Sequence, residues 1–288
     1  MSCRVQLRIA LGDVVNLILR KGIHIGTSGW SYPDDWVGSF YSSGSSMFRQ
    51  YLSYFDTAEI NSTFYSLPRE RLIGSLARTE QLGKFFSAKI PRAVTHEARL
   101  DVKKGGDVLQ RFYDLVKPIS SVLQVLLIQL PPWDISAMGD LEEFLSSLDQ
   151  DFRYAIEFRH ESWLCSRVFG LLERYGIAYV VVDEPRLPID LRVTTDFSYV
   201  RWHGHGTRVW YDYLYSVDEL KTWVSRLRTL QEQTGTVLGY FNNHFEGNAP
   251  LNALQMLHEL GLATPHQEAK IARVLRKASL SQSTLDRF

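Results

Sequence analysis

Eight short β-rich runs, each followed by a longer stretch of helical character, constrain this 288-residue chain more than any single motif does. They begin at Ile23 (IHIGTSGW), Thr57 (TAEINSTFY), Phe85 (FFSAKIPR), Val125 (VLLIQLPP), Tyr154 (YAIEFRH), Tyr179 (YVVVDEP), Tyr199 (YVRWHG) and Thr236 (TVLGYFNNH). Helical signals fill Pro68 to Gly83, Gly106 to Ile119, Gly139 to Leu148, Ser166 to Gly176, Ser216 to Gly235 and Ala249 to Gly261, several opening near Ser, Asp or Pro and closing at Gly. Strands that alternate with helices pair in parallel through right-handed crossovers, and eight units predict an α/β single-domain (β/α)8 TIM-type barrel. The sixth unit is the shortest, since "RLPIDLRVTTD" leaves room for a reduced helix only. Residues 23–262 are read as the barrel, 1–22 as an N-terminal extension or a misplaced start, and 263–288 as a basic, amphipathic C-terminal tail.

Several strands end in charged or amide side chains. Residues two apart share a strand face, and one face of a barrel strand points at the axis. Glu59 pairs with Asn61 in this way, Ser87 with Lys89, Glu157 with Arg159, and Arg201 with His203. Each pair lies at the C-terminal end of its strand, where barrel enzymes carry their active sites. By the same reasoning Gln129, Asp183, Asn242 and Asn243 belong to the mouth, with His160 just beyond its strand. Trp30, Tyr65 and His96 sit in loops that close over it, and the two longest irregular loops follow the first and third strands. His24, at the start of its strand, reads instead as a core histidine.

Glu59, Lys89, Glu157, Asp183 and His203 are the catalytic candidates. Two chemistries suit them. Glu59, Glu157, Asp183 and His203 offer oxygen and imidazole ligands for a divalent metal, although no compact ligand motif such as HExxH is present. Alternatively, two carboxylates act as an acid and base pair whose protonation Lys89 and Arg159 adjust. Lys89, Arg159 and Arg201 suit a phosphate or carboxylate on the ligand, while Asn61, Gln129, Asn242 and Asn243 suit its hydroxyls. The expected partner is a small anionic or polyhydroxylated molecule. There is no nucleotide cofactor motif of the GxGxxG or Walker type.

With 32 acids balancing 32 bases, no global field draws in nucleic acid, so a nucleic-acid partner is open but not favoured. Two cysteines, Cys3 and Cys165, suggest neither a disulfide framework nor a thiolate metal site. No run approaches the roughly 20 apolar residues that span a bilayer, and the expected setting is cytoplasmic.

The stretches "IGTSGWSY", "FDTAEINSTFYSLP", "FSAKIPRAVTH", "LIQLPP", "AIEFRHESW", "YVRWHG" and "GYFNNHFEGNAPLNA" resemble, in order and spacing, the signature segments of the YecE-like domain-of-unknown-function 72 family. The resemblance runs from about Ile23 to about Leu260 and implies a TIM-type barrel of uncharacterised activity. By position it places the family's recurrent polar residues on Glu59, Asn61, Lys89, His96, Gln129, Glu157, Arg159, His160, Asp183, Arg201, His203, Asn242 and Asn243. Three functions remain open: a hydrolase, lyase or isomerase acting on an anionic sugar- or nucleotide-like compound, a metal-dependent nuclease of the endonuclease IV type, and a non-catalytic ligand-binding protein.

Overall fold

The computed structural model describes residues 19–285, so most of the expected N-terminal extension lies outside the described residues. Eight strands alternate with helices. The strands are β1 (Gly22–Thr27), β2 (Thr57–Ile60), β3 (Phe85–Lys89), β4 (Leu123–Gln129), β5 (Tyr154–Glu157), β6 (Ala178–Asp183), β7 (Ser198–Trp202) and β8 (Thr236–Phe241). The helices are α1 (Pro33–Trp36), α2 (Met47–Leu52), α3 (Ser62–Tyr65), α4 (Glu70–Ala77), α5 (Val102–Val116), α6 (Leu141–Ser146), α7 (Ser166–Tyr175), α8 (Val217–Thr234), α9 (Asn248–Glu259) and α10 (Pro265–Leu285). All paired strands are parallel, each beside its neighbour in sequence, and β1 returns to pair with β8. This is the TIM-type barrel that the alternation predicts. No helix joins β6 to β7, so the weak sixth unit is reduced to an irregular crossover.

The ring closes between β1 and β2 through one bridge, Ser28 opposite Glu59, with Gly29 N–H donating to Glu59 O at 2.8 Å. Tyr51 of α2 supplies what the ladder lacks there. Its phenol, fully buried, accepts from Thr27 N–H at 2.9 Å and donates to Thr57 O at 2.9 Å, joining the two strand edges. The strands come so close that a Cβ on Gly26 would lie 2.3 Å from Thr57 O, which restricts that position to glycine.

Because parallel strands are covered on both faces, two apolar layers form. Outside the barrel, Ala58, Ile60, Ile128, Ile156, Val181, Val200 and Trp202 meet the helices in one continuous core. Inside, a separate cluster includes Phe85, Val125, Leu127, Val180, Tyr199, Leu238 and Tyr240. Trp202 stacks on Phe241 at 4.4 Å, and Gly239 makes room for it, since a Cβ there would lie 2.7 Å from the indole.

Local signals fix the helix ends. Ser216 and Glu219 form a capping box on α8, and Gly176 and Gly235 take the left-handed conformation that ends α7 and α8. The helix expected from Gly106 starts one turn earlier, because the Asp101 carboxylate accepts from the N–H groups of Lys103 and Lys104 and caps α5 at Val102. The basic C-terminal segment forms α10 and packs on the barrel: Lys270 is buried, donating to Phe40 O across the ring faces of Phe40 and Tyr54. Among the described residues, no helix is long and apolar enough to cross a membrane.

Candidate active site

Above the apolar filling, the barrel axis is occupied by charge. Tyr199 and Tyr240 mark the boundary: Tyr240 bonds to the hydroxyls of Thr57 at 2.8 Å and Ser87 at 3.0 Å, and Tyr199 donates to Glu59 Oε2 at 2.8 Å. One register up, Arg201 lies on the axis with no exposed surface. Its Nη1 donates to Glu157 Oε2 at 2.5 Å and its Nη2 to Glu59 Oε1 at 2.7 Å and Ser28 Oγ at 3.0 Å. Ser28 also donates to Glu59 Oε1, at 2.5 Å.

Arg159 continues the network across β5 and β6. Its Nε donates to Glu157 Oε1, its Nη1 to Glu184 Oε2 at 2.9 Å, and its Nη2 lies 3.0 Å from His203 Nε2. His203 is 3.3 Å from Glu157 Oε2, and Asn242 Nδ2 donates to its Nδ1 at 3.0 Å. Burial, then the adjacent Arg159, hold the imidazole well below its ordinary value, so it is neutral. Burial alone would raise Glu157, but the guanidiniums of Arg159 and Arg201 outweigh it and hold that carboxyl well below its usual range. Each guanidinium bridges two carboxylates, and pairing of this kind is what makes charge tolerable in a dry interior.

Lys89 stands apart from this network. Its Nζ donates to Gln129 Oε1 at 2.8 Å and lies 4.0 Å from Glu59 Oε1, beyond direct hydrogen bonding. Burial, followed by the charge of Arg201, pushes its amine down to about 7 against the pull of Glu59 and Glu157. It faces a cavity of about 590 Å³ lined by Trp30, Tyr32, Asn61, Phe64, Tyr65, Gln129, Tyr211, Asn242 and His244. Tyr32 stacks on His244 at 4.7 Å, and Tyr65, 74% exposed, stands on the rim. A groove leads off this cavity past Trp30 to Arg69 and Arg71, and no carboxylate lines either space.

The structure thus brings together Glu59, Asn61, Lys89, Gln129, Glu157, Arg159, Arg201, His203 and Asn242, with Trp30 and Tyr65 at the opening. His96 borders a smaller chamber beside it, where burial and then Arg92 push its imidazole down to about 4. Three expected residues are not gathered there. Asp183 lies on the outer face of β6, where its carboxylate accepts from Trp223 Nε1 of α8 at 2.8 Å and pairs with His205 at 2.7 Å. Its successor Glu184 enters the barrel instead, in phase with Val180 and Val182. Asn243 is likewise outward, donating to Tyr213 O and Asn252 Oδ1, each at 2.8 Å. His160 lines neither space and caps the short turn Glu161–Trp163 through its Nδ1. Of the mouth residues missed in the sequence, Glu184 is adjacent to a named candidate, Tyr32, Phe64 and His244 lie inside the quoted segments without being singled out, and Tyr211 comes from a loop without local pattern.

The four candidate metal ligands do not converge. Asp183 is across the barrel wall, and the guanidinium of Arg201 fills the place between Glu59 and Glu157 where a cation would bridge them. Among the described residues, no group of three or more His, Cys, Asp or Glu is arranged to hold a metal ion. The positive cluster expected of Lys89, Arg159 and Arg201 is also largely neutralised, because the two arginines are committed to Glu59, Glu157 and Glu184.

Comparison with known proteins agrees with the architecture. UPF0759 protein YunF of Bacillus subtilis is 27% identical over 278 residues, covering 83% of this chain and 95% of that protein. A DUF72 family protein from Thermotoga maritima superposes with a TM-score of 0.73 at 32% identity, over 83% of this chain and 99% of that one. A second, from Enterococcus faecalis, shares the fold with a TM-score of 0.70 at 20% identity, over 84% of this chain and 97% of its own. Residues 24–275 match the family described as protein of unknown function DUF72, and the chain belongs to that family.

Proposed function

We propose that the barrel mouth is an acid–base active site for a small, anionic, hydroxyl-rich substrate, in a hydrolase, lyase or isomerase reaction with Lys89 as the proton-exchanging group. The observation that carries this reading is Lys89 itself: a buried amine at the floor of a cavity, pushed down to about 7 by burial and hydrogen-bonded to Gln129. A catalytic group is most effective when its pKa lies near the working pH. In an isomerase or lyase step the free amine takes a proton from a carbon beside a carbonyl while the electron pair moves onto the carbonyl oxygen. In hydrolysis it takes a proton from water.

The substrate class follows from the lining. Lys89, Arg69 and Arg71 border the cavity and its groove, and among the described residues no carboxylate lines either space, which favours an anionic group. Asn61, Gln129, Asn242 and Tyr32 add donors and acceptors for hydroxyls. Arg159, Arg201, Glu59 and Glu157 form a charged floor that adds to burial in adjusting the Lys89 amine. The metal-dependent nuclease reading draws no support from a ligand set that does not gather.

The test is solvent proton exchange into sugar phosphates such as D-ribulose 5-phosphate in D2O, followed by proton NMR. The expected rate rises with pH through about 7, as the amine loses its proton, and Lys89→Met lowers it at least about 100-fold. Equal rates in the two proteins would remove Lys89 from the chemistry. Ligand binding without exchange or turnover of any substrate would make this a binding protein.

A further inference from the structure

We propose that the smaller chamber beside the main cavity is a second subsite of the same ligand site, built to receive a hydroxyl group, with Glu184 as its recognition residue. This rests on the reading of the mouth as a site for a hydroxyl-rich ligand. The chamber holds about 190 Å³ and is bordered by His96, Gln129, Glu184, Arg186, Trp210 and Tyr211. At roughly 30 Å³ per water molecule in the liquid, that is room for a hydroxylated fragment of a few carbons.

The key observation is an incomplete hydrogen-bond set. Three carboxylates belong to the buried network, and two are satisfied at both oxygens: Glu59 by Arg201 and Ser28 on one and Tyr199 on the other, Glu157 by Arg159 on one and Arg201 on the other. Glu184 differs. Its Oε2 accepts from Arg159 at 2.9 Å, but its Oε1 is buried and has no hydrogen-bond partner among the described residues. A buried acceptor left unpaired is costly, so this oxygen is one that a donor from outside the chain can complete.

The neighbours narrow the donor. Arg186 borders the chamber, its guanidinium carbon 4.8 Å from the centre of the Trp210 ring, so an ammonium would meet a cation already in place. A hydroxyl meets the same acceptor without that repulsion. Gln129 and Tyr211 line both spaces, so one molecule can reach from the Lys89 cavity into the chamber. Burial keeps the Glu184 carboxyl above its ordinary value despite Arg159, and a bound hydroxyl donor would favour its ionised form.

Titration calorimetry with D-ribose 5-phosphate, D-ribose and inorganic phosphate tests the proposal on the wild type, Glu184→Gln, Pro132→Trp and Lys89→Met, each checked for its fold by circular dichroism. In Glu184→Gln the amide oxygen stays on Arg159 and the NH2 group turns to the chamber, replacing a charged acceptor by a donor. Pro132→Trp fills the chamber from its exposed edge without touching the ion pairs, and gives the reading if Glu184→Gln does not fold. Both should bind D-ribose 5-phosphate about tenfold or more weakly than wild type, with inorganic phosphate affinity unchanged. If both bind it within about twofold of wild type while Lys89→Met binds it weakly, water completes Glu184 and the subsite is overturned, but the reading of the main cavity stands. If no probe binds the wild type, both readings fall.

Discussion

The lower and upper halves of the barrel interior solve the same packing problem with opposite chemistry. Below, Phe85, Val125, Val180 and Leu238 fill the axis with carbon. Above, other strands fill it with Glu59 of β2, Glu157 and Arg159 of β5 and the turn after it, and Arg201 of β7, all but removed from water. Hydrophobic burial is non-directional and tolerates small shifts, whereas a buried ion network holds only while every partner is present. The difference teaches that the upper half is organised for something other than stability. Its charges largely compensate one another, while Lys89 and Glu184 both face open space.

The largest expected effect comes from removing the central cation. Arg201→Met strands Glu59 and Glu157 without a counter-ion and should destabilise the fold by about 3–5 kcal/mol in urea denaturation. If the variant also carrying Glu59→Gln and Glu157→Gln recovers little of that loss, the two halves do not differ as described.

The next effect is a pH dependence confined to the upper half. Unfolded Lys89 holds its proton up to about 10.5, whereas the folded side chain releases it near 7. Between these values the unfolded chain binds more protons, so wild-type stability should rise with pH relative to Lys89→Met, by up to about 1.4 kcal/mol per pH unit. A stability difference between the two proteins that stays flat from pH 7 to pH 10 would place the amine in water rather than in the barrel.

The smallest lies at the boundary. Tyr240→Phe loses its bonds to the Thr57 and Ser87 hydroxyls and should cost about 1 kcal/mol, equally at every pH between 6 and 9 if the charged layer is independent of the apolar one. A cost that changes with pH in that range would show the layers to be coupled.

Much of this was legible in the sequence wherever alternation was visible. In "YAIEFRH" and "YVRWHG" apolar and charged residues change places one by one, so the phase of Glu157, Arg159, Arg201 and His203 follows from period two alone. In "YVVVDEP" both faces are apolar, as parallel strands require. The phase is then invisible, and Asp183 could not be told from Glu184. The doublet Asn242 and Asn243 fails for the same reason. Which cation pairs with which carboxylate is also absent from one strand's pattern, because Arg201 meets Ser28 just after β1 and residues from β2 and β5. Tyr211 arrives from the loop after β7, where no periodicity operates.

The phenol of Tyr51 has one more implication. Where strands join by a ladder, an edge can fray one rung at a time. Here the edge of β1 is latched to β2 by a side chain carried on α2, outside the ring. Undocking that helix therefore leaves the Ser28–Glu59 bridge as the remaining backbone link there, and the amide of Thr27 should exchange its proton with solvent only at the rate at which α2 lets go.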